Sequence, residues 1–180
     1  MDMKQTLISG LPELKLDLTQ AQTDTLCAFG QAVIDQNRVM NLTAITEPQQ
    51  VAKLHLLDSL TVLSALDLRG KSLIDVGCGA GFPGVPLAIA SPQTQVTLLD
   101  SLGKRVNWLK EILPQLGVNA QCVTARAEEA VADRRESYDY AVSRAVARLN
   151  ILLELLAPYV KVGGAVVAMK GSAAKEELAE

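Results

Sequence analysis

The chain has 180 residues, 49% hydrophobic and 21% charged, which is enough apolar material for one filled core with a small appended subdomain and too much for intrinsic disorder. Its formal net charge of -3 excludes holding naked nucleic acid by bulk electrostatics, which needs several phosphates neutralised by clustered Lys and Arg, but leaves room for a local basic face. No apolar run approaches the roughly 18 residues of a spanning helix, and the N-terminus MDMKQTLISGLPELK lacks the basic-then-apolar order of a secretory signal, so a cytoplasmic protein without membrane association is expected.

Residues 1–70 read as a helical subdomain, with no glycine between Gly30 and Gly70. Thr19 followed by Gln22 spells a capping box; Leu26, Phe29 and Val33 then recur at helical spacing, which predicts a helix ending near Asn41. Thr46-Glu47-Pro48 supplies a second start, with Pro48 near the first helical position, where its missing N–H costs nothing. That helix is expected to run to about Leu66. Within it His55, the only histidine, shares a helical face with Asp58. The pair can hydrogen-bond as a structural tie, and one histidine does not build a usual zinc site.

The boundary falls at Arg69-Gly70-Lys71, and residues 71–180 change character. SLIDVG, QVTLLD, AQCVTA, YDYAVS and GAVVAM are five runs of strand length, apolar enough to be buried on both faces. Helical segments alternate with them, Arg105 to Leu116 being the clearest, with Val106, Leu109, Leu113 and Leu116 near one stripe and Gly117 as the stop. Strands alternating with helices imply an α/β fold with a parallel sheet and right-handed crossovers. Cys27, Cys78 and Cys122 are odd in number and widely spaced, which suits neither a disulfide framework nor a metal site; Cys78 reads as a small residue tolerated in a tight turn.

After the first strand, Asp75-Val76-Gly77-Cys78-Gly79-Ala80-Gly81-Phe82-Pro83-Gly84 packs four glycines into the turn before a helix. In a doubly wound sheet that turn is where a nucleotide-like ligand sits, and Pro83 is expected to pre-set the first helical turn and leave unpaired amides facing the ligand. The next strand ends at Asp100, whose carboxylate can accept from both hydroxyls of a ribose. The structural alternative is an ordinary turn and a helix cap. A dinucleotide loop, G-x-G-x-x-G, would need glycine where Phe82 stands; Gly77, Gly79 and Gly81 instead spell G-x-G-x-G behind the acid Asp75, a pattern that resembles the first motif of S-adenosylmethionine-dependent methyltransferases.

The match narrows further. IDVGCGAGFPGVPLAI and TLLDSLGKRVNWL, with Asn41-Leu42-Thr43 and His55-Leu56-Leu57-Asp58-Ser59 upstream and Arg126-Ala127-Glu128-Glu129, Ser143-Arg144-Ala145 and Met169-Lys170-Gly171 downstream, resemble the bacterial 16S ribosomal RNA guanine-N7 methyltransferases, once called glucose-inhibited division protein B. The resemblance implies a Rossmann-like class I methyltransferase sheet with an N-terminal helical extension. It also implies S-adenosylmethionine as cofactor and one guanine of 16S rRNA in the small ribosomal subunit as substrate. Carried over position by position, Gly77, Gly79, Gly81 and Phe82 form the cofactor loop, Asp100 is the ribose acid, Ala127 and Glu128 are the adenine-side pair, and Arg144 follows the fourth strand at the cofactor site. Arg144 and Lys170 are expected to contact guanine or phosphate, and no general base is needed, because guanine N7 already carries an in-plane lone pair. Lys104, Arg105, Arg126 and Arg148 can widen a positive rim or simply be solvated. Family members usually continue beyond the position of Glu180, so the final strands of the sheet are expected to be absent, and a monomer with the fifth strand as an open edge is expected. The competing functions are a nicotinamide-dependent oxidoreductase, with Lys104 and Arg105 on a ribose phosphate, and a non-catalytic cofactor-binding assembly factor on the ribosomal subunit.

Overall fold

The computed structural model describes residues 2–144, 147–171 and 174–177. Helix α1 (Met3–Gly10) starts on a capping box in which Asp2 and Gln5 bond reciprocally, and α2 (Gln20–Met40) starts on the Thr19–Gln22 box. The Gln22 amide also donates to the carbonyls of Ile89 and Ala90, 3.1 and 3.0 Å away, so the cap ties α2 to a helix of the sheet layer. Asn41 ends α2 in the left-handed region, φ 49°, which its short polar side chain tolerates.

The next helical run begins with α3 (Pro48–Val51), whose first amides, of Gln49 and Gln50, are accepted by the Glu47 carboxylate at 3.1 and 2.8 Å. Its extent matches the expected Pro48-to-Leu66 helix but its winding does not. Ala52–Leu57 is wound as a π-helix before α4 (Asp58–Leu60) and α5 (Val62–Ala65) close the run. Periodicity does not reveal such a wide turn, because it shifts the apolar stripe by only one position.

All five expected strands form: β1 (Ser72–Val76), β2 (Gln95–Asp100), β3 (Gln121–Thr124), β4 (Tyr138–Arg144) and β5 (Val160–Met169). They pair in parallel in the order β3-β2-β1-β4-β5. Side chains alternate between the two faces with the period of a strand. Leu73, Val96, Leu98 and Val142 join the core built with α1, α2, the π-helical run, α6 (Gly84–Ala90) and α7 (Gly103–Gln115). Ile74, Val76, Leu99 and Ala141 join a second core under α8 (Ala127–Ala130) and α9 (Leu149–Leu156). Leu26, Phe29 and Val33 of α2 are fully buried in the first core, each worth roughly 1.5–3 kcal/mol. α7 carries the predicted Val106, Leu109 and Leu113 stripe and stops at Gly117, φ +67°. A last short helix, α10 (Ala174–Glu177), follows β5, which lies at the sheet edge with Val162 almost fully exposed.

From β1 the chain winds outward to β2 and β3, then returns to place β4 on the other side of β1. That reversal opens a crevice at the carboxyl ends of β1, β2 and β4. Among the described residues, no helix is long and apolar enough to cross a membrane.

Candidate active site

The crevice is a cleft of about 670 Å³ lined by the loop after β1, the ends of β2 and β4, the start of α8 and residues from the N-terminal helical part. On its β2 side the loop is organised by backbone hydrogen bonds. The amides of Gly77 and Cys78 both donate to the Leu99 carbonyl, at 2.7 and 3.0 Å, and those of Gly81 and Phe82 to the Cys78 carbonyl, at 2.7 and 3.1 Å. The Gly79 amide donates to one carboxylate oxygen of Asp100 and the Leu102 amide to the other, both at 2.8 Å. Each oxygen keeps a lone pair for a further donor, so the carboxylate is aimed before any ligand arrives.

The glycines divide into two kinds. Gly79 sits at φ +55° with nothing within 4 Å of where a Cβ would stand, so its bare face opens on the cleft. Gly81, at φ +98°, is closed in: a Cβ would come within 2.7 Å of Val85 and 3.1 Å of Phe29. Gly84 is closed in too, because a Cβ there would collide with Leu98 and reach 2.8 Å from the Asp75 carboxylate.

Asp75 corrects the expectation for Pro83. Pro83 is the cap residue before α6, not part of its first turn, and the leading amides do not face the cleft. Gly84 donates to Asp75 Oδ2 at 2.7 Å and Val85 to the Gly81 carbonyl at 2.8 Å. A carboxyl oxygen buried beside a helix start lies within reach of the orphan amide and takes it before any ligand can. Its other oxygen, Oδ1, is buried with no hydrogen-bond partner among the described residues, and burial pushes the Asp75 carboxyl up to about 7. Burial likewise raises the Cys78 thiol, which removes thiolate reactivity from the loop.

On the β4 side, side chains do the organising. Arg144, the last residue of β4, donates through Nη1 to Asp58 Oδ2 at 3.0 Å and to the Leu54 carbonyl at 3.2 Å, and Nη2 meets His55 Nδ1 at 3.1 Å. His55 Nε2 lies 2.8 Å from Thr43 Oγ1. Both residues of the predicted His55–Asp58 tie are thus structural ties, but to Arg144 rather than to each other. Burial first and the Arg144 charge second hold the His55 imidazole down at about 4. Phe82 stacks on His55 with ring centroids 4.6 Å apart, tilts against Phe29 at 5.3 Å, and carries the Arg144 guanidinium 5.3 Å over its centroid.

The rRNA small subunit methyltransferase G (GidB) family model matches residues 22–180. The chain belongs to this family. Its relatives include two proteins named ribosomal RNA small subunit methyltransferase G, from Alkaliphilus metalliredigens and Alkaliphilus oremlandii, each 45% identical over 182 residues, which span 99% of this chain and 76% of the relative. Among solved structures, a Methanococcus maripaludis protein described as a putative S-adenosyl-L-methionine-dependent methyltransferase superposes with a TM-score of 0.59 at 14% identity, over 77% of this chain and 61% of that one; at that identity the likeness concerns the fold.

Of the site residues the family resemblance named, Gly77, Gly79, Phe82, Asp100, Ala127, Glu128 and Arg144 all line the cleft, as do Arg105 and Arg126 of the proposed rim. Gly81 serves packing beneath it. Lys170 is not brought there: its ammonium is held by Glu177, 2.8 Å away, and by the Ala147 carbonyl, because α10 folds back against the start of α9, where the Leu149 amide also donates to Glu177. Lys104 lies within α7 and Arg148 precedes α9, both outside the lining. Ala145, of the Ser143-Arg144-Ala145 motif, lies outside the described residues. Leu42, Thr43, Leu54, Leu102 and Leu155 also line the cleft; Leu42 and Thr43 carry a signal in the Asn41-Leu42-Thr43 motif and Leu102 in TLLDSLGKRVNWL, whereas Leu54 and Leu155 carry none.

The cleft fits an adenosine-bearing sulfonium. Asp100 offers two aimed acceptor atoms for vicinal hydroxyls, Gly79 leaves room for close approach, and the half-exposed Leu102 beside them offers an apolar face for an adenine ring.

Proposed function

We propose that this protein transfers the methyl group of S-adenosylmethionine to N7 of a guanine in 16S rRNA of the small ribosomal subunit, acting in the cytoplasm as a monomer. The observation that carries the reading is the pairing, in one cleft of a family member, of a carboxylate aimed by Gly79 and Leu102 with an arginine clamped across β1 from it. Gly77, Gly79 and Phe82 shape the loop around the cofactor, Asp100 takes the ribose hydroxyls, and Ala127 and Glu128 take the adenine edge through a backbone amide and a carboxylate. When bound, the cofactor supplies an electrophilic methyl group. The chain moves no proton, since the attacking nitrogen has its lone pair in the ring plane; its work is alignment of nucleophile, methyl carbon and sulfur at near-contact distance. Arg144 then orients guanine or an adjacent phosphate, with Arg105 and Arg126 attracting the RNA backbone at the rim. Residues 1–70 supply the arm that carries His55 and Asp58, and residues 71–180 the catalytic sheet.

Calorimetry and methyl transfer together test this. The chain should bind S-adenosylmethionine in preference to NAD(P)H, and Asp100→Ala should weaken binding about 100-fold, the worth of two hydrogen bonds to a charged acceptor. Labelled methyl should enter one guanine of small subunits, faster than in protein-free 16S rRNA, since a net charge of -3 gives little unspecific attraction to naked RNA. Binding without transfer would mark a cofactor-binding assembly factor instead, and binding of only the nicotinamide an oxidoreductase.

A further inference from the structure

The helical arm sends into the cleft a hydrogen-bonded chain that the proposed reaction leaves without a task. A guanidinium only donates hydrogen bonds, so the 3.1 Å contact from Arg144 requires His55 Nδ1 to be bare. The ring proton therefore sits on Nε2 and is donated to Thr43 Oγ1 at 2.8 Å, an oxygen that also accepts the Ile45 amide at 3.0 Å. The tautomer is fixed from both ends, and the neutral ring is the one that burial and the Arg144 charge favour. Asp58 and the Leu54 carbonyl occupy Nη1. Two N–H groups of Arg144, on Nε and Nη2, are left without a partner among the described residues, while the side chain is still 18% exposed at the cleft.

We infer that His55 and Asp58 are positioning residues for methyl transfer: with Thr43 behind His55 and Phe82 beneath the guanidinium, they hold Arg144 in one orientation so that its two remaining N–H groups meet the RNA. The inference rests on the proposed methyltransferase function. Its physical content is preorganisation. A long side chain that has lost its rotamer freedom before the substrate binds need not lose it during the reaction. A purely structural tie between arm and sheet would need no bare donors left over and no line of sight to the cleft.

The test uses the full chain with small subunits and labelled cofactor, and compares His55→Phe, Asp58→Ala, Arg144→Ala and the double variants. His55→Phe keeps the ring stack on Phe82 and removes only the acceptor and the Thr43 contact. Both single arm variants should lower kcat/KM for the subunit about tenfold or more, the worth of one hydrogen bond to a charged group, with any fall in S-adenosylmethionine affinity clearly smaller than that. In the Arg144→Ala background they should cost nothing further, because they act through that side chain. His55→Asn, which offers an oxygen near the place of Nδ1, should restore part of the loss. Independently of activity, the guanidinium N–H signals of Arg144 in a 15N-arginine spectrum should be resolved in wild type and collapse in His55→Phe. Wild-type turnover in the arm variants, or losses that add to that of Arg144→Ala, would overturn the inference alone. So would losses matched by equal losses in cofactor affinity and melting temperature. A wild-type chain that transfers no methyl group would overturn the proposed function, and the inference with it.

Discussion

Asp100 and Arg144 flank β1 in the same cleft and are held in opposite ways. Asp100 is fixed by two amides, one of them only two residues away and the other from the adjoining loop. Arg144 is fixed by partners 86 to 90 positions away in the chain, on the helical arm. The acid is therefore part of a local strand–loop–helix design that any sheet of this class can form, whereas the arginine exists as a site only when the arm has docked. The β2 half of the cleft is built by folding of the sheet; the β4 half is built by assembly of two layers.

The strongest way to break the β2 half leaves every polar group in place. Gly84→Ala would drive a methyl group into Leu98 and the Asp75 carboxylate, both buried, and overpacking of that kind costs about 1–3 kcal/mol or more. Thermal melting should register it as a loss of several degrees, and calorimetry as loss of S-adenosylmethionine binding; an unshifted melting temperature would mean that the loop is looser than its packing.

How much of this was legible in the sequence follows the same divide. The capping box at Thr19 and Gln22, the ends at Asn41 and Gly117 and all five strands are readable because each depends on residues close in sequence or on a short continuous apolar run, and the meeting of the glycine loop with Asp100 follows from the strand–loop–helix order. Local reasoning fails where a group outside the element competes for the same atom. The Gly84 amide looked free until the buried Asp75 carboxylate claimed it, and Lys170 looked available until Glu177 claimed it. The His55–Asp58 spacing reads as a mutual pair, since nothing in a helical face shows a third partner on a strand almost ninety residues on. The π-helical turn was invisible for a related reason: it changes the winding and leaves the composition as it was.

Acidity sharpens the comparison, because each half buries a titratable group, His55 or Asp75, whose response opposes the other's. Unfolded His55 takes up a proton near pH 6.5, and the folded one only near 4. The unfolded chain thus binds more protons in that window, and stability is lost as the pH falls through it. Asp75 runs the other way: the folded carboxyl keeps its proton up to about 7, while the unfolded one releases it near 3.8, so stability is lost as the pH rises. Melting profiles should show His55→Phe gaining on wild type as the pH drops from 6.5 to 4, and Asp75→Asn gaining as it rises from 4 to 7. Differences that are flat, or that share a sign, would contradict this assignment.

The smallest expected effect lies at the rim. Glu128 is ion-paired with Arg126 at 3.6 Å, both well exposed, a contact worth no more than about 1 kcal/mol. Glu128→Gln should weaken cofactor binding by less than about fivefold, far below the effect of Asp100→Ala in the same titration.

The wide turn at Ala52–Leu57 acts as a phase adjuster. Upstream of it Val51 is fitted to the core shared with the sheet; downstream Leu60 and Val62 are fitted to the same core while Asp58 meets β4. An α-helix turns by about 100° per residue, so removing one residue from this stretch would leave every side chain chemically intact yet swing one set of contacts out of phase with the other. Substitutions here cost one contact at a time, whereas a change of length by a single residue costs the whole β4 half of the cleft. The segment is one in which the spacing carries as much information as the letters.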